Sequence, residues 1–254
     1  MTASAEDAAL AVDLVREAGD LARELRASGL QVDTKSSVSD VVTAADRAAE
    51  QLVVDHLAAW RPEDGILGEE GAQRPSASGR TWVIDPVDGT YNFVHGLTWW
   101  CSAIALVEGE DVVLGAVFHP TEDVVYVGGP DLPTTRNGEP VGVTDRPLAE
   151  SCLSTYLHPP FFGDESGAAF TRLVGRAATL RMLGSGSLDL AAVAQGQLGV
   201  FVQHSVEPWD WLPGAALVRG AGGAARRVGA AGRIWSVAGA ATVVGEVCAA
   251  LEDR

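Results

Sequence analysis

The stretch Trp82-Val83-Ile84-Asp85-Pro86-Val87-Asp88-Gly89-Thr90-Tyr91-Asn92-Phe93 runs an apolar strand straight into two acids. Asp85 falls where the strand is expected to end, Pro86 imposes an irregular turn, and Asp88 follows, so both carboxylates can converge on one point outside the sheet. Gly89-Thr90 is then expected to open a helix whose free N–H groups and positive dipole end suit a phosphate. A hard cation such as Mg²⁺ takes oxygen ligands in near-octahedral geometry and keeps several waters. Asp85, Asp88 and the Val87 carbonyl answer that description. The same residues also fit a turn that solvates a strand end, because Asp-Pro and Asp-Gly pairs are common turn formers.

Two further acidic signals stand elsewhere in the chain. Gly68-Glu69-Glu70 follows the apolar pair Ile66-Leu67 and puts two acids at the end of a short extended segment. Glu207-Pro208-Trp209-Asp210-Trp211 sets Asp210 at the start of a helix between two large aromatics. Each has an ordinary reading by itself: a solvated surface pair for Glu69-Glu70, and an N-cap accepting backbone N–H bonds for Asp210. The tryptophans are costly to expose, which places Asp210 on a rigid, partly buried wall.

These residues need elements to hold them. Leu10, Leu14, Ala18, Leu21 and Leu25 recur at helical spacing between Glu6 and Ser28, with charge opposite. A second helix follows Thr43, whose T-x-x-D arrangement with Asp46 matches a capping box, and runs to Trp60 before Arg61-Pro62. From Arg80 the pattern turns to short β-rich runs, Thr81–Ile84, Cys101–Val107, Val112–Phe118 and Val124–Val127, with a tight turn at Asn137-Gly138. After Thr144 strand and helix alternate: Cys152–Tyr156, Glu165–Ala177, Thr179–Leu183, Leu188–Gln195, Val200–Gln203, Asp210–Ala221 and a final helix near Ala241–Leu251. We read an N-terminal α+β half (1–143) carrying most of the candidate ligands against a C-terminal α/β half (144–254) carrying Asp210, with a cleft between them.

Composition narrows the function classes. With 254 residues, nearly half of them apolar, the chain can bury a large core. Cys101, Cys152 and Cys248 form no C-x-x-C pair and read as reduced thiols packed in the core of a cytoplasmic protein. The acidic N-terminus lacks the pattern of a secretory signal, and no apolar run approaches the roughly 20 residues of a membrane span. A formal charge of −16 argues against nucleic acid or an anionic membrane as partner. A small phosphorylated metabolite stays compatible when divalent cations lie between the carboxylates and invert the local field. No G-x-x-x-x-G-K-[ST] loop is present, which disfavours a nucleotide-dependent kinase, and the five histidines show no zinc-ligand spacing.

In combination these motifs are distinctive. Gly68-Glu69-Glu70, Asp85-Pro86-Val87-Asp88-Gly89-Thr90 and Trp209-Asp210 occur in the order and at the separations of the inositol monophosphatase family, Mg²⁺-dependent and lithium-sensitive phosphatases, which the chain closely resembles. Lys35 with Asp40-Val41-Val42-Thr43-Ala44-Ala45-Asp46 is similar to that family's N-terminal motif, and Gly184-Ser185-Gly186-Ser187 to its substrate-side turn. The resemblance implies a layered αβαβα sandwich of the inositol monophosphatase and fructose-1,6-bisphosphatase type, commonly a homodimer. It implies two or three Mg²⁺ per site on Glu69, Asp85, the Val87 carbonyl, Asp88 and Asp210, with Glu70 holding waters around them. Thr90 and Asp46 are then expected to position the attacking water, and Gly89 and Thr90 amides to hold the phosphate. Asp88, Ser185, Gly186, Ser187, Gln203 and Asp210 are expected to line the alcohol side.

The implied reaction is hydrolysis of a small phosphate monoester, inositol 1-phosphate by default, by in-line attack of a water without a phosphoenzyme. Histidinol phosphate, fructose 1,6-bisphosphate and phosphoadenosine phosphate are the alternative substrates, and a phosphometabolite-binding protein without turnover is the non-enzymatic alternative. One position departs from the pattern: Gln203 stands where the family generally places a glutamate that accepts bonds from ring hydroxyls, and Gln donates as well as accepts and carries no charge. That weakens inositol phosphate, and mildly histidinol phosphate, without touching the phosphatase reading. Tyr91, Trp99 and Trp100 could line the site, but core packing is the expected role.

Overall fold

The computed structural model describes residues 2–29, 32–34 and 41–252. Lys35, Asp40 and the side chain of Thr43, and with it the expected capping box, lie outside the described residues. The first half contains α1 (Ala5–Ser28), β1 (Val32–Thr34), β2 (Val41–Thr43), α2 (Ala44–Trp60), β3 (Gly65–Gly68), β4 (Gln73–Arg74), β5 (Arg80–Asp88) and α3 (Thr90–Val94). It continues with β6 (Cys101–Glu108), β7 (Asp111–His119), β8 (Val124–Gly129), β9 (Leu132–Arg136) and β10 (Glu139–Pro140). The second contains β11 (Cys152–Ser154), α4 (Glu165–Val174), β12 (Thr179–Arg181), α5 (Gly186–Ala194), β13 (Val200–His204), α6 (Pro208–Gly220), β14 (Ala224–Ala230), β15 (Arg233–Gly239) and α7 (Ala241–Glu252).

These elements stack in five layers. An eight-stranded sheet runs β10-β9-β8-β7-β6-β5-β3-β4, antiparallel except where β3 lies parallel to β5. Strand alternation gives it two apolar faces. Trp82, Ile84, Ile104, Leu106, Leu114 and Phe118 meet α1 and α2 through Leu10, Leu14, Val53 and Leu57. Val83 and Ala105, of opposite parity, and Val112, moved to that face by the bulge in the β6–β7 pairing, meet Ala216 of α6, and Ala103 and Val117 join a cluster with Leu190, Trp211 and Leu217 of α5 and α6. A Cβ at Gly115 would collide with the Pro213 carbonyl, so glycine lets the α6 backbone close onto β7. Beyond this middle layer lies a five-stranded sheet, β12-β11-β13-β15-β14, covered outside by α4 and α7 through Phe170, Leu173, Val243 and Val247. The architecture is the αβαβα sandwich.

Local chemistry sets the helix ends. Ser4 and Asp7 form a reciprocal capping box at the start of α1, and Gly29 ends it at φ 104. Two expected boundaries move, and one hairpin was not expected. The strand through Trp82 does not stop at Asp85 but runs to Asp88, because a bulge absorbs Pro86. The helix expected to begin at Asp210 begins at Pro208, favoured at a first helical position, so Glu207 is its N-cap and Asp210 lies inside its first turn. The hairpin β14–β15 had no sequence signal: its outer strand is Ala-, Gly- and Arg-rich and mostly solvent-facing, which removes the apolar alternation.

Candidate metal centre

The bulge in β5 places the first two carboxylates. Asp85 pairs opposite Ala103 and Asp88 opposite Cys101, so one strand takes an extra residue between the same two partners. Pro86 has no N–H to offer the ladder, and its carbonyl accepts instead from Ser102 Oγ at 2.6 Å. Asp85 shares the parity of Val83, and therefore points with it towards the middle layer. Asp88 reaches the first turn of α5, accepting from Ser185 Oγ at 3.0 Å, Gly186 N at 3.3 Å and Ser187 N at 2.5 Å. These are orphan donors of a helix start, which suit an anion. Asp210 enters from the first turn of α6. One carboxylate oxygen from each of Asp85, Asp88 and Asp210 lies within 4.8 Å of the others.

Burial makes that proximity expensive. Asp85 is 1% exposed, and neither of its oxygens meets a hydrogen-bond donor among the described residues. Burial first, then the charges of Glu69, Asp88 and Asp210, push its pKa well above the carboxylate range. Burial and the charges of Asp88 and Glu69 do the same to Asp210. Burial also raises Asp88, though the Ser187, Ser185 and Gly186 donors offset part of the effect. At an effective dielectric of about 20, two unit charges at such a separation repel by about 3 kcal/mol, and the pairs together rival the ~5–15 kcal/mol that holds a domain folded. Protons or cations must neutralise the group. Its donors are oxygens only, and Asp85 keeps two of them unpartnered, so the residues fit a hard divalent cation.

Glu69 adjoins this group. The parallel pairing of β3 with β5 sets Gly68 beside Ile84, and Glu69 N donates to the Ile84 carbonyl at 3.1 Å, one residue before Asp85. Glu70 follows on the same turn, its N–H donating to Glu50 at 2.9 Å. The Val87 carbonyl accepts from Thr90 Oγ1 at 3.0 Å, and that hydroxyl also lies 3.3 Å from Asp46 Oδ1. Asp46 is fully buried on α2. Gly89 adopts φ 95, a left-handed conformation. A Cβ there would crowd the Gly184 and Trp99 carbonyls at 3.0 and 3.1 Å.

Three expectations change in detail. The helix opened by Thr90 has only five residues, so little macrodipole stands behind its amides, and the longer helix start in the site, that of α5, is occupied by Asp88. Ser185, Gly186 and Ser187, expected on the alcohol side, turn their hydroxyl and amide donors to Asp88. Core packing, the expected role of Tyr91, Trp99 and Trp100, holds for buried Trp100 and for Trp99, which also donates from Nε1 to Asp189 at 2.9 Å, but not for Tyr91, which is 45% exposed and stacked on His95. Gln203 is half-buried on β13 opposite Ser236, on the strand that leads into α6.

Two buried acids that touch the elements of this site escaped the sequence reading. Asp189 on α5 accepts from Trp99 Nε1 and Ser154 Oγ, both at 2.9 Å, and burial pushes its pKa up to about 7. Glu50 on α2 accepts from the amides of Glu70 and Ala72. The available signal was an acid inside an apolar helical run, Leu188-Asp189-Leu190, and an acid one turn after Asp46 on the same helix face.

Comparison with known proteins finds relatives along nearly the whole chain. A model of the inositol monophosphatase family matches residues 4–248. Inositol-1-monophosphatase of Rhizobium meliloti is 35% identical over 225 residues, 84% of this chain and 82% of that protein. A Thermotoga maritima protein named fructose-1,6-bisphosphatase/inositol-1-monophosphatase is 34% identical over 192 residues, 76% of this chain and 73% of its own. The crystal structure of extragenic suppressor protein suhB from Bartonella henselae superposes with a TM-score of 0.88 at 25% identity, covering 96% of this chain and 98% of that one.

Proposed function

The chain belongs to the inositol monophosphatase family and is a phosphoric monoester hydrolase, and from that premise we propose that it cleaves inositol 1-phosphate with Mg²⁺ held by Glu69, Asp85, the Val87 carbonyl, Asp88 and Asp210. The observation that carries the proposal is the convergence of Asp85, Asp88 and Asp210 within 4.8 Å, with Asp85 unpartnered among the described residues. When bound, the cations supply Lewis-acid polarisation of the phosphoryl group and a water acidified towards neutral pH.

The residues of the chain do the rest. Thr90 Oγ1, held between Asp46 and the Val87 carbonyl, orients the attacking water, and Asp46 accepts the proton passed through that hydroxyl. The Gly89 and Thr90 amides face the phosphate, and Glu70 holds waters beside Glu69. Ser185, Gly186 and Ser187 fix Asp88, and with Gln203 and Asp210 they border the alcohol. In this reading the half spanning 1–143 supplies Glu69, Asp85 and Asp88, and the half spanning 144–254 supplies Asp210 and the α5 turn.

Fructose 1,6-bisphosphate is the second reading, supported by the double name of the Thermotoga maritima relative. Phosphate release from inositol 1-phosphate, fructose 1,6-bisphosphate, histidinol phosphate and phosphoadenosine phosphate, with and without Mg²⁺, tests both. We expect Mg²⁺-dependent release with inositol 1-phosphate preferred. Turnover that persists in EDTA and in Asp85→Asn refutes the metal mechanism, and a Gln203→Glu variant with unchanged substrate ratios clears that position of a role in preference.

A further inference from the structure

Glu50 lies on α2, one turn after Asp46, and is 5% exposed. Its two carboxylate oxygens divide between two backbone donors of the turn after β3: Oε2 accepts from Glu70 N and Oε1 from Ala72 N, both at 2.9 Å. The turn is closed by Gly68 N donating to the Ala72 carbonyl at 2.8 Å, and it brackets Glu69. A Cβ at Gly68 would collide with the Glu50 carboxylate, so the space a side chain would need at 68 is taken by this acid. The turn itself reaches the surface, with Gly71 exposed.

We infer that Glu50 is a positioning residue: its carboxylate grips the 68–72 turn and sets the place of Glu69 relative to Asp85, so that α2 ties the Glu69 turn to Thr90 through one rigid helix. Asp46 and Glu50 stand one turn apart and therefore face the same way. Asp46 reaches Thr90, Glu50 reaches the turn, and Ala45, Ala49, Val53 and Leu57 bury the helix between them. An ionised carboxylate accepts from both amides, whereas a glutamine at 50 turns an NH₂ towards one of two N–H donors and must lose it. The inference rests on Glu69 being a metal ligand.

The test is direct Mg²⁺ binding by calorimetry on the full chain, substrate-free, for the wild type, Glu50→Gln and Gly68→Ala, with thermal unfolding in EDTA alongside. Loss of an outer partner of a metal ligand typically costs 10–100-fold in affinity. We expect Glu50→Gln to bind Mg²⁺ at least ~10-fold more weakly, and kcat to recover as Mg²⁺ is raised while KM for the phosphate monoester stays near wild type. Gly68→Ala, which pushes on the same carboxylate from the other side, should shift Mg²⁺ affinity in the same direction, and it carries the test should Glu50→Gln not fold. A folded variant that melts lower in EDTA yet keeps wild-type Mg²⁺ affinity gives Glu50 a merely structural role and overturns the inference, leaving the metal centre intact. A wild type that binds no Mg²⁺ overturns the metal reading itself.

Discussion

The two ends of β5 hold buried aspartates of opposite character. At its start Arg80, with Arg61, meets Asp7 of α1 at 2.6 and 3.3 Å, and Ser4 donates to the same carboxylate. Burial alone would raise the pKa of Asp7, but the Arg80 and Ser4 bonds outweigh it and hold the group at about 2. At the other end Asp85 meets carboxylates instead of guanidinium groups and is driven the opposite way. Both are aspartates with almost no exposed area, and Asp85 lies in the deeper surroundings. Among the described residues the fold brings a counter-charge to Asp7, through Arg80 and Arg61, and none to Asp85.

Replacing the unpaired acid should have the largest effect, and it should split activity from stability. Asp85→Asn removes several kcal/mol of cation-mediated charge stabilisation, so phosphate release should fall by roughly 10³-fold or more. In EDTA at pH 8 the same variant should unfold at a temperature equal to or above wild type, because one repelling charge has gone. A variant that loses activity and stability together would make Asp85 resemble Asp7 and dissolve the contrast.

The next effect depends on pH. Asp85 and Asp210 have raised pKa values, so without metal the folded chain binds more protons than the unfolded chain, and its stability falls as pH climbs towards those values. Mg²⁺ competes with those protons. Its stabilising effect should therefore be larger at pH 8 than at pH 5, about 3 kcal/mol at a hundredfold excess over Kd, or some 5–10 °C in Tm. An equal Mg²⁺ shift at both pH values counts against cation binding by this cluster.

Asp7→Asn should behave inversely. It leaves Arg61 and Arg80 without their shared partner and should cost about 2–3 kcal/mol, below the ~3–5 of a fully buried pair because both arginines are partly exposed. kcat and Mg²⁺ affinity should not move. The sign for wild type follows from a depressed pKa: stability contributed by Asp7 is present above pH ~4 and is lost as pH falls through about 2. Urea unfolding of variant and wild type at pH 7 and pH 3 measures both.

Much of this contrast was legible in the sequence on the metal side and little of it elsewhere. Asp85-Pro86-Val87-Asp88-Gly89 stands out because an apolar strand runs straight into two acids, and the layered fold was implied by the family resemblance, with which the strand and helix patterning agreed. What could not be read were features whose cause lies far along the chain. Asp7 gains its meaning from Arg80, Asp88 from the α5 amides, and Asp189 from Trp99 and Ser154. The bulge at Pro86 depends on a strand partner, Ser102, whose hydroxyl caps the unpaired carbonyl. Asp210 lies inside the first turn rather than at the cap because the helix starts two residues earlier, at Pro208, which leaves Glu207 as the N-cap.

Asp189 lies between the two extremes and gives the smallest effect. Like Asp7 it has donors, and like Asp85 it has no cationic partner among the described residues: Trp99 and Ser154 are neutral, and burial holds its pKa at about 7. An aspartate with a raised pKa is protonated in the folded chain between about pH 4 and 7 while the unfolded chain is ionised, so its contribution to stability declines across that window and levels off above it. Asn mimics the protonated form. The difference in unfolding free energy between Asp189→Asn and wild type should therefore rise in favour of the variant from pH 4 to pH 7 by about 1–2 kcal/mol, discounted from 1.36 kcal/mol per pKa unit for relaxation around the buried group, and stay flat to pH 9. A difference that falls with pH instead would mean that Trp99 and Ser154 hold the ionised carboxylate as firmly as Arg80 holds Asp7, and neutral donors would then suffice where the comparison along β5 requires a cation.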